Sequence, residues 1–338
     1  MRLWYSILLA FALVPPFSGP SPADELDRDA PFRAVPVALV PAAPEQRRVG
    51  ALDYVRGYRL ESGDRAFGGF SAMASDGRRF TLLTDGGEGV AFDLGADGRV
   101  AAPRIFTLPA FPRIGFEKKD RDSESLARDP ASGRFWVGFE NANQIWHYAP
   151  GFARAERHAA PPAMADWPEN RGAEAMVRLA DGRFVVIGED AIEGVAGQPR
   201  PLLIFARDPA EAPAAVARAR YLPPDGYSPT DMTELPDGRL IIVNRRVLIS
   251  AGFITCLTLI DRAALRPGAT IRGRVIARFA PPMQHDNFEG IVALPQRDGI
   301  HLWLVADDNQ FWLEQSLLLE FRLDERRAAA IAATEPAR

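Results

Sequence analysis

Five stretches of the chain repeat one order of polar and apolar positions. Each opens on an acidic or small polar residue, runs through an apolar stretch, turns at a segment that usually holds Asp and Gly, and ends a second apolar stretch on a charged residue. They read FSAMASDGRRFTLLTD from Phe70, SESLARDPASGRFWVGFE from Ser123, AEAMVRLADGRFVVIGED from Ala173, TDMTELPDGRLIIVNRR from Thr230 and FEGIVALPQRDGIHLWLVADD from Phe288. Their leading positions, Ser71, Glu124, Glu174, Asp231 and Glu289, follow one another at 53, 50, 57 and 58 residues. A third apolar run comes after each hairpin (GVAFDLG, NQIWHYA, PLLIFAR, ITCLTLI, LLLEFRL) and usually a fourth (RIFTLP, ARARYLP, RVIARFAP). A period of about 40 to 60 residues, with strand-like runs split by Asp-Gly turns, is how a propeller blade reads in sequence.

The pattern predicts an all-β fold, a β-propeller of five blades with four antiparallel strands each. The last repeat runs out near Asp324 after three strands, while ALDYVRGYRLES offers a strand just before the first repeat, so an N-terminal strand is expected to close the ring. Six blades is the alternative, if residues 32–49 hide a degenerate one. The prolines between Pro31 and Pro44 read rather as an extension. The division that follows is a signal peptide over 1–23, an extension over 24–48, the propeller over 49–326 and a tail over 327–338, frayed or briefly helical.

In an up-and-down blade the inner strand starts at the face where the second strand ends. That brings the leading ring beside a second set at the ends of the second strands: Asp85, Glu140, Glu189, Arg245 and Asp307. The loops between blades open on the same face and carry Lys118, Lys119, Trp167, Arg171, Tyr227 and His285. The opposite face receives mainly the Asp-Gly-Arg turns and is expected to be bland. Four carboxylates roughly 8 Å apart repel by about 2 kcal/mol per pair at an effective dielectric of 20, on the order of 12 kcal/mol in all. That is comparable with the stability of a domain. A cation, protonation, or partners such as Arg171, Arg245, Arg246 and Lys119 must offset it, unless the carboxylates are spent on backbone N–H groups of neighbouring blades. An oxygen-only donor set favours a hard ion, calcium before magnesium.

Composition narrows the function classes. With 47% hydrophobic and 25% charged residues the chain can bury a full core. A net charge of -4 leaves no basic surplus, which excludes nucleic acid as the expected partner. The start, MRLWYSILLAFALVPPFSGPSPA, has Arg2, an apolar run from Leu3 to Val14 and small residues up to Ala23, the pattern of a signal peptide. Export to the periplasm or medium is expected, with an uncleaved anchor as the alternative and no later span. Cys256 stands alone, so no intrachain disulfide or thiolate metal site forms. There is no G-x-S-x-G elbow, and Ser71 reads as a small residue making room rather than a nucleophile. Of the four histidines, His285 in a Pro-rich interblade loop is the one read as functional; His147 and His301 lie in apolar strands. Phe311 and Trp312, beyond the last acids, read either as a ligand platform or as packing over the closing blade.

The pieces FGGFSAM with LLTDGG, DSESLA with VGFE, RGAEAM with VIGED, TDMTELPDGRLIIVNRR, and DNFEGIVAL with LWLVADDN resemble the phytase-like family, described as having the esterase-like activity of phytase. The resemblance runs from about Val49 to Asp324. It implies an exported bacterial propeller and a phosphate-ester or carboxyl-ester hydrolase, as in calcium-dependent propeller phytases, whose metal ions activate water and hold phosphate. The chain departs from those enzymes in having no recognisable run of acidic calcium-binding segments and only two lysines, so phytate itself is not the expected substrate.

The leading expectation is therefore a metal-assisted ester hydrolase, monomeric, acting on a small-molecule ester or anionic ligand. Glu124, Glu174, Asp231 and Glu289 would hold a calcium-type ion, with Asp85, Glu140, Glu189 and Asp307 as outer ligands or bases. Glu289, Glu174, His285 and Arg245 are the expected catalytic groups, and Arg171, Lys119, Arg246 and Trp312 the substrate contacts. The competing expectation is a non-catalytic propeller that binds a small molecule, peptide or envelope component around a structural calcium.

Overall fold

A computed structural model of the chain describes residues 30–64, 67–110, 121–168, 171–192, 194–195, 198–309, 311 and 314–334. The expected signal segment, Lys118, Lys119 and Trp312 lie outside the described residues. Three strands precede the first repeat: β1 (Phe32–Pro36), β2 (Arg48–Val49) and β3 (Leu52–Ser62). The first blade is β4 (Phe70–Ser75), β5 (Arg79–Thr84), β6 (Glu88–Leu94) and β7 (Val100–Thr107). The second is β8 (Ser123–Arg128), β9 (Phe135–Phe139), β10 (Gln144–Tyr148) and β11 (Ala155–Ala159). The third is β12 (Ala173–Arg178), β13 (Phe184–Gly188), β14 (Arg200–Phe205) and β15 (Val216–Leu222). The fourth takes β16 (Ser228–Glu234), β17 (Leu240–Leu248), β18 (Gly252–Ile260) and, beyond the short β19 (Thr270–Arg272), β20 (Arg274–Phe279). The fifth has β21 (Asn287–Gln296), β22 (Gly299–Asp307) and β23 (Leu317–Leu323), and β3 completes it by pairing antiparallel with β23.

The propeller thus has five blades, closed by the N-terminal strand as the repeat pattern predicts. The inner strands β4, β8, β12, β16 and β21 neighbour one another around the axis. Residues 32–49 make no sixth blade: β1 pairs outside β3 as an extra edge strand and β2 pairs beside it. The sequence reading did not foresee β19, three residues from the fourth blade's last connection that add parallel to β15 at the edge of the third blade. After β23 comes α1 (Glu325–Thr334), whose first turn is capped by Asp324 accepting the Arg327 N–H at 2.9 Å. Among the described residues no helix is long and apolar enough to cross a membrane.

Local chemistry explains the hairpins. In the Asp-Gly-Arg turns the aspartate carboxylate accepts the arginine N–H, as in Asp181 to Arg183 at 3.1 Å and Asp237 to Arg239 at 3.0 Å. The glycine between them takes a left-handed φ, +89° at Gly182 and +85° at Gly238, where a Cβ would be strained. Alternate side chains of each strand then face the blade before and the blade after, so the cores lie between blades. Phe70, Met73 and Phe80 of the first blade pack on Trp303, Val305 and Leu318 of the fifth, and equivalent layers fill the other junctions.

β3 carries four of these buried side chains, Leu52, Tyr54, Tyr58 and Leu60, whereas β1 carries Phe32. Removal of residues up to Pro36 should leave a cooperatively folded propeller. Removal up to Ser62 should abolish the cooperative thermal transition, since the β23 edge and the core between blades are then both opened; differential scanning calorimetry of the two truncations checks this.

Candidate active site at the acidic mouth

Every inner strand carries a β-bulge at the same place. The register against the second strand slips between Phe70 and Ala72, Ser123 and Ser125, Ala173 and Ala175, Pro229 and Asp231, and Phe288 and Gly290. The extra residues are Ser71, Glu124, Glu174, Thr230 and Glu289, one at the head of each inner strand. The fourth blade therefore differs from the sequence reading: Thr230, not Asp231, occupies the leading position. Asp231 stands one residue further, buried at 3% exposure, and accepts the Ile291 N–H of the next blade at 2.7 Å. It is a staple between blades. Two hydroxyls serve the same purpose at the bulge itself, Ser71 donating to the Ser123 carbonyl and Thr230 to the Phe288 carbonyl. Of the five bulge residues, that leaves Glu124, Glu174 and Glu289 to face the mouth as acids.

The ends of the second strands meet them. Asp307 lies opposite Asn287 and Arg245 opposite Ser228 in the ladder, while the N–H groups of Asp85, Glu140 and Glu189 reach the carbonyls of Gly69, Asp122 and Gly172. Arg245 enters the cluster from the fourth blade. Its Nη1 bonds Glu289 Oε1 and, at 3.1 Å, Asn287 Oδ1, and its Nη2 reaches Glu189 Oε1 at 3.3 Å. Asn287 Nδ2 also donates to Glu289 Oε1 at 2.9 Å. Burial opposes the charge on Arg245, but Glu289, Glu174, Glu189 and Glu124 more than reverse this and hold its pKa above the usual arginine range.

On the other side of the mouth carboxylates face carboxylates. Oxygens of Asp122, Glu124 and Glu140 lie within 4.8 Å of one another, and so do those of Glu140, Glu174 and Glu189. Burial, followed by the charge of Asp122, pushes Glu140 up to about 7. Burial and then Glu174 push Glu124 well above the carboxylate range; burial and then Glu189 do the same to Glu174. Glu140 Oε1 accepts the Gly172 N–H at 3.4 Å, which offsets part of the rise at Glu140. Burial also pushes Glu289 up to about 7 against the pull of Arg245. Asp307 is raised by burial and then by Glu289. Gly172 makes the close approach in this region: a Cβ there would sit 2.7 Å from Glu140 Cα, which accounts for the glycine before Ala-Glu-Ala-Met.

Several expected site residues lie elsewhere. Arg171 stands at the exposed rim, 3.3 Å from Asp190 and 3.9 Å from Glu189. Arg246 is exposed and lies along Gly226. His285 has both ring nitrogens against backbone carbonyls, Met283 at 2.8 Å and Ala251 at 3.1 Å, so it braces a loop and has no nitrogen turned to the acids. Two members of the site were missed by the sequence reading, Asp122 and Asn287. Each stands two residues before a bulge glutamate, and a second polar side chain at that spacing was legible in DSE and NFE.

The charge set is all oxygen and partly buried, without Cys or His, which fits a hard cation of the calcium type held by either group of three carboxylates.

A family model described as phytase-like, esterase-like activity of phytase, matches residues 65–310. No curated protein matches. Among solved structures, a chain of Kuenenia stuttgartiensis hydrazine synthase is 12% identical with a TM-score of 0.37, over 72% of this chain and 57% of that one. This chain therefore spans little more than half of that relative. A hypothetical protein from Leishmania major is 10% identical with a TM-score of 0.43, over 95% of both chains. A protein of unknown function from Bacteroides thetaiotaomicron is 12% identical with a TM-score of 0.45, over 89% of this chain and 74% of that one.

Acids raised on folding bind more protons in the native than in the unfolded state, so their contribution is complete below the unfolded values near 4 and is lost as pH rises through about 7. The EDTA-treated protein should be less stable at pH 8 than at pH 5.5, losing about 1.4 kcal/mol per pH unit up to about pH 7 for each proton held, as read by urea titration. A divalent cation should flatten that slope. Arg245→Gln should cost about 3–5 kcal/mol at pH 8 and less at pH 5, because protonation relieves the carboxylates left without it; urea titrations at the two pH values read the difference.

Proposed function

The chain belongs to the phytase-like family, and on that premise we propose that it is an exported hydrolase of esters, phosphate esters foremost, working at the acidic mouth with a divalent cation of the calcium type. The observation that carries this reading is the pair of three-carboxylate groups sharing Glu140. Asp122, Glu124 and Glu140, or Glu140, Glu174 and Glu189, would hold the cation. When bound, such an ion polarises an ester oxygen and lowers the pKa of an attached water.

The remaining work falls to the chain's own side chains. Arg245 spends three hydrogen bonds on Glu289, Asn287 and Glu189 and keeps further N–H donors for an anionic substrate, with Arg171 at the rim drawing it in. Glu289 Oε1 is taken by Arg245 and Asn287, so Oε2 is the oxygen that carries or gives up a proton. With its pKa pushed up to about 7, Glu289 is poised between the two states at neutral pH, the condition for a general acid or base. Export, by this reading, relies on the Leu3–Val14 segment, and the working unit is a monomer.

The purified mature protein should hydrolyse p-nitrophenyl phosphate or p-nitrophenyl acyl esters in the presence of calcium, with EDTA removing the activity. Glu289→Gln should lower turnover about 100-fold or more while sparing calcium-dependent thermal stabilisation, and Glu140→Gln should weaken that stabilisation. Absence of turnover above the Glu289→Gln level on either substrate type would refute hydrolysis. Stabilisation by calcium without turnover would move the reading to a binding propeller.

A further inference from the structure

The end of the channel away from the acids is not the bland face that the sequence pattern predicts. Counting from each bulge, the residues two positions on are Met73, Leu126, Met176, Met232 and Ile291, all buried. Those four positions on are Ser75, Arg128, Arg178, Glu234 and Ala293. Both levels line one cavity of about 800 Å³, within the range of small-molecule sites. Its floor is apolar, and its walls carry the guanidinium groups of Arg56, Arg128 and Arg178 beside the carboxylates of Asp76 and Glu234, the latter engaged by the Ala180 N–H at 2.6 Å and by Arg262 at 3.7 Å.

Those groups are placed by the fold and only partly neutralised. Arg128 reaches back to Asp76 of the preceding blade at 3.8 Å, and Arg178 to Asp129 at 3.4 Å. The two aspartates are already engaged by their own turns. Asp76 accepts the N–H groups of Arg78 and Arg79 at 3.1 and 2.8 Å, and Asp129 accepts Ser132 Oγ at 2.6 Å. The third cation, Arg56, is fixed by Glu320 at 2.6 Å and by the carbonyls of Gly95 and Ala96 at 3.0 Å each. Gln296, also in the wall, is held by the same Glu320 at 3.2 Å. Arginine presents a planar fork that matches an oxyanion, and a flexible methionine floor accepts an alkyl or aromatic body of varied shape.

We propose that this cavity is a second binding site, for a small amphiphile with one oxyanion head and an apolar body, the head on Arg128 and Arg178 and the body against Met73, Met176 and Met232. The site is separate from the acidic mouth, and neither its ligand nor its test depends on hydrolysis there.

Isothermal titration of the full chain, in EDTA, with octanoate and octyl phosphate tests it. Saturable binding is expected with at least one of the two, and the stronger of them identifies a carboxylate or a phosphate head. Acetate, inorganic phosphate and octyl glucoside, which carry head or tail alone, should bind at least about 10-fold more weakly. Arg128→Gln combined with Arg178→Gln should weaken binding about 10-fold or more, Arg178→Lys should weaken it less, and Glu289→Gln should leave it unchanged. Thermal unfolding confirms that each variant is folded, and Met176→Gln provides a second probe that leaves the cations in place and should also weaken binding. No saturable binding by either amphiphile, equal binding of octyl glucoside, or affinity unmoved by the folded arginine and methionine variants would overturn the proposal.

Discussion

One extra residue in an antiparallel ladder bends the strand and turns the side chains around it out of the regular alternation. All five inner strands of this propeller take such a residue at the same height, and the rest of the channel is counted from it. The bulge residue stands at the mouth, the second one after it fills the waist, and the fourth reaches the far rim. Because each bulge sits where the blades come closest, a hydroxyl there is short enough to be used up on the next blade, as in Ser71 and Thr230. A glutamate is too long for that bond and extends into the opening. The difference between a staple and a ligand is here a matter of side-chain length at a fixed backbone position.

Placing acids on so rigid a frame has an electrostatic cost, and the structure divides it unevenly. On the side of Glu289 the cost is offset by Arg245, half-buried and fixed by Asn287. On the side of Glu124 and Glu140 the near groups are further carboxylates, and raised pKa values express the strain. On the proposed function, an uneven mouth of this kind would give a ligand one orientation: its anionic part toward the fourth and fifth blades, its cationic or metal-bound part toward the second and third.

Much of this was legible in the residues. The five repeats, the Asp-Gly-Arg turns and the strand from Leu52 that closes the ring follow from periodicity and turn chemistry, and so does the meeting of Glu124, Glu174 and Glu289 with Arg245. The shift from Asp231 to Thr230 was not legible, because a bulge has no composition of its own and TDM offers a polar residue at both positions. His285 looked available from its loop and is consumed by two carbonyls that only the folded chain brings to it. Arg128 and Arg178 drew no reading from the sequence, since nothing local shows that residues 50 apart converge on one cavity. The strand β19 was too short, at three residues, to stand out from the segment around it.

The strand that closes the ring also sets the order in which the molecule can assemble. Arg56 of β3 and Glu320 of β23 meet although they stand 264 positions apart in the chain. Bringing such distant ends together costs about 5 kcal/mol of loop entropy, against about 2 kcal/mol for a ten-residue hairpin. Four blades can form as the polypeptide lengthens, each from neighbouring strands; the fifth must wait for its last segment while its first has long been made. Until then the edge of β3 and the apolar flank of the first blade stay uncovered, so the slow, exposed step of folding belongs to the whole chain and comes at the end.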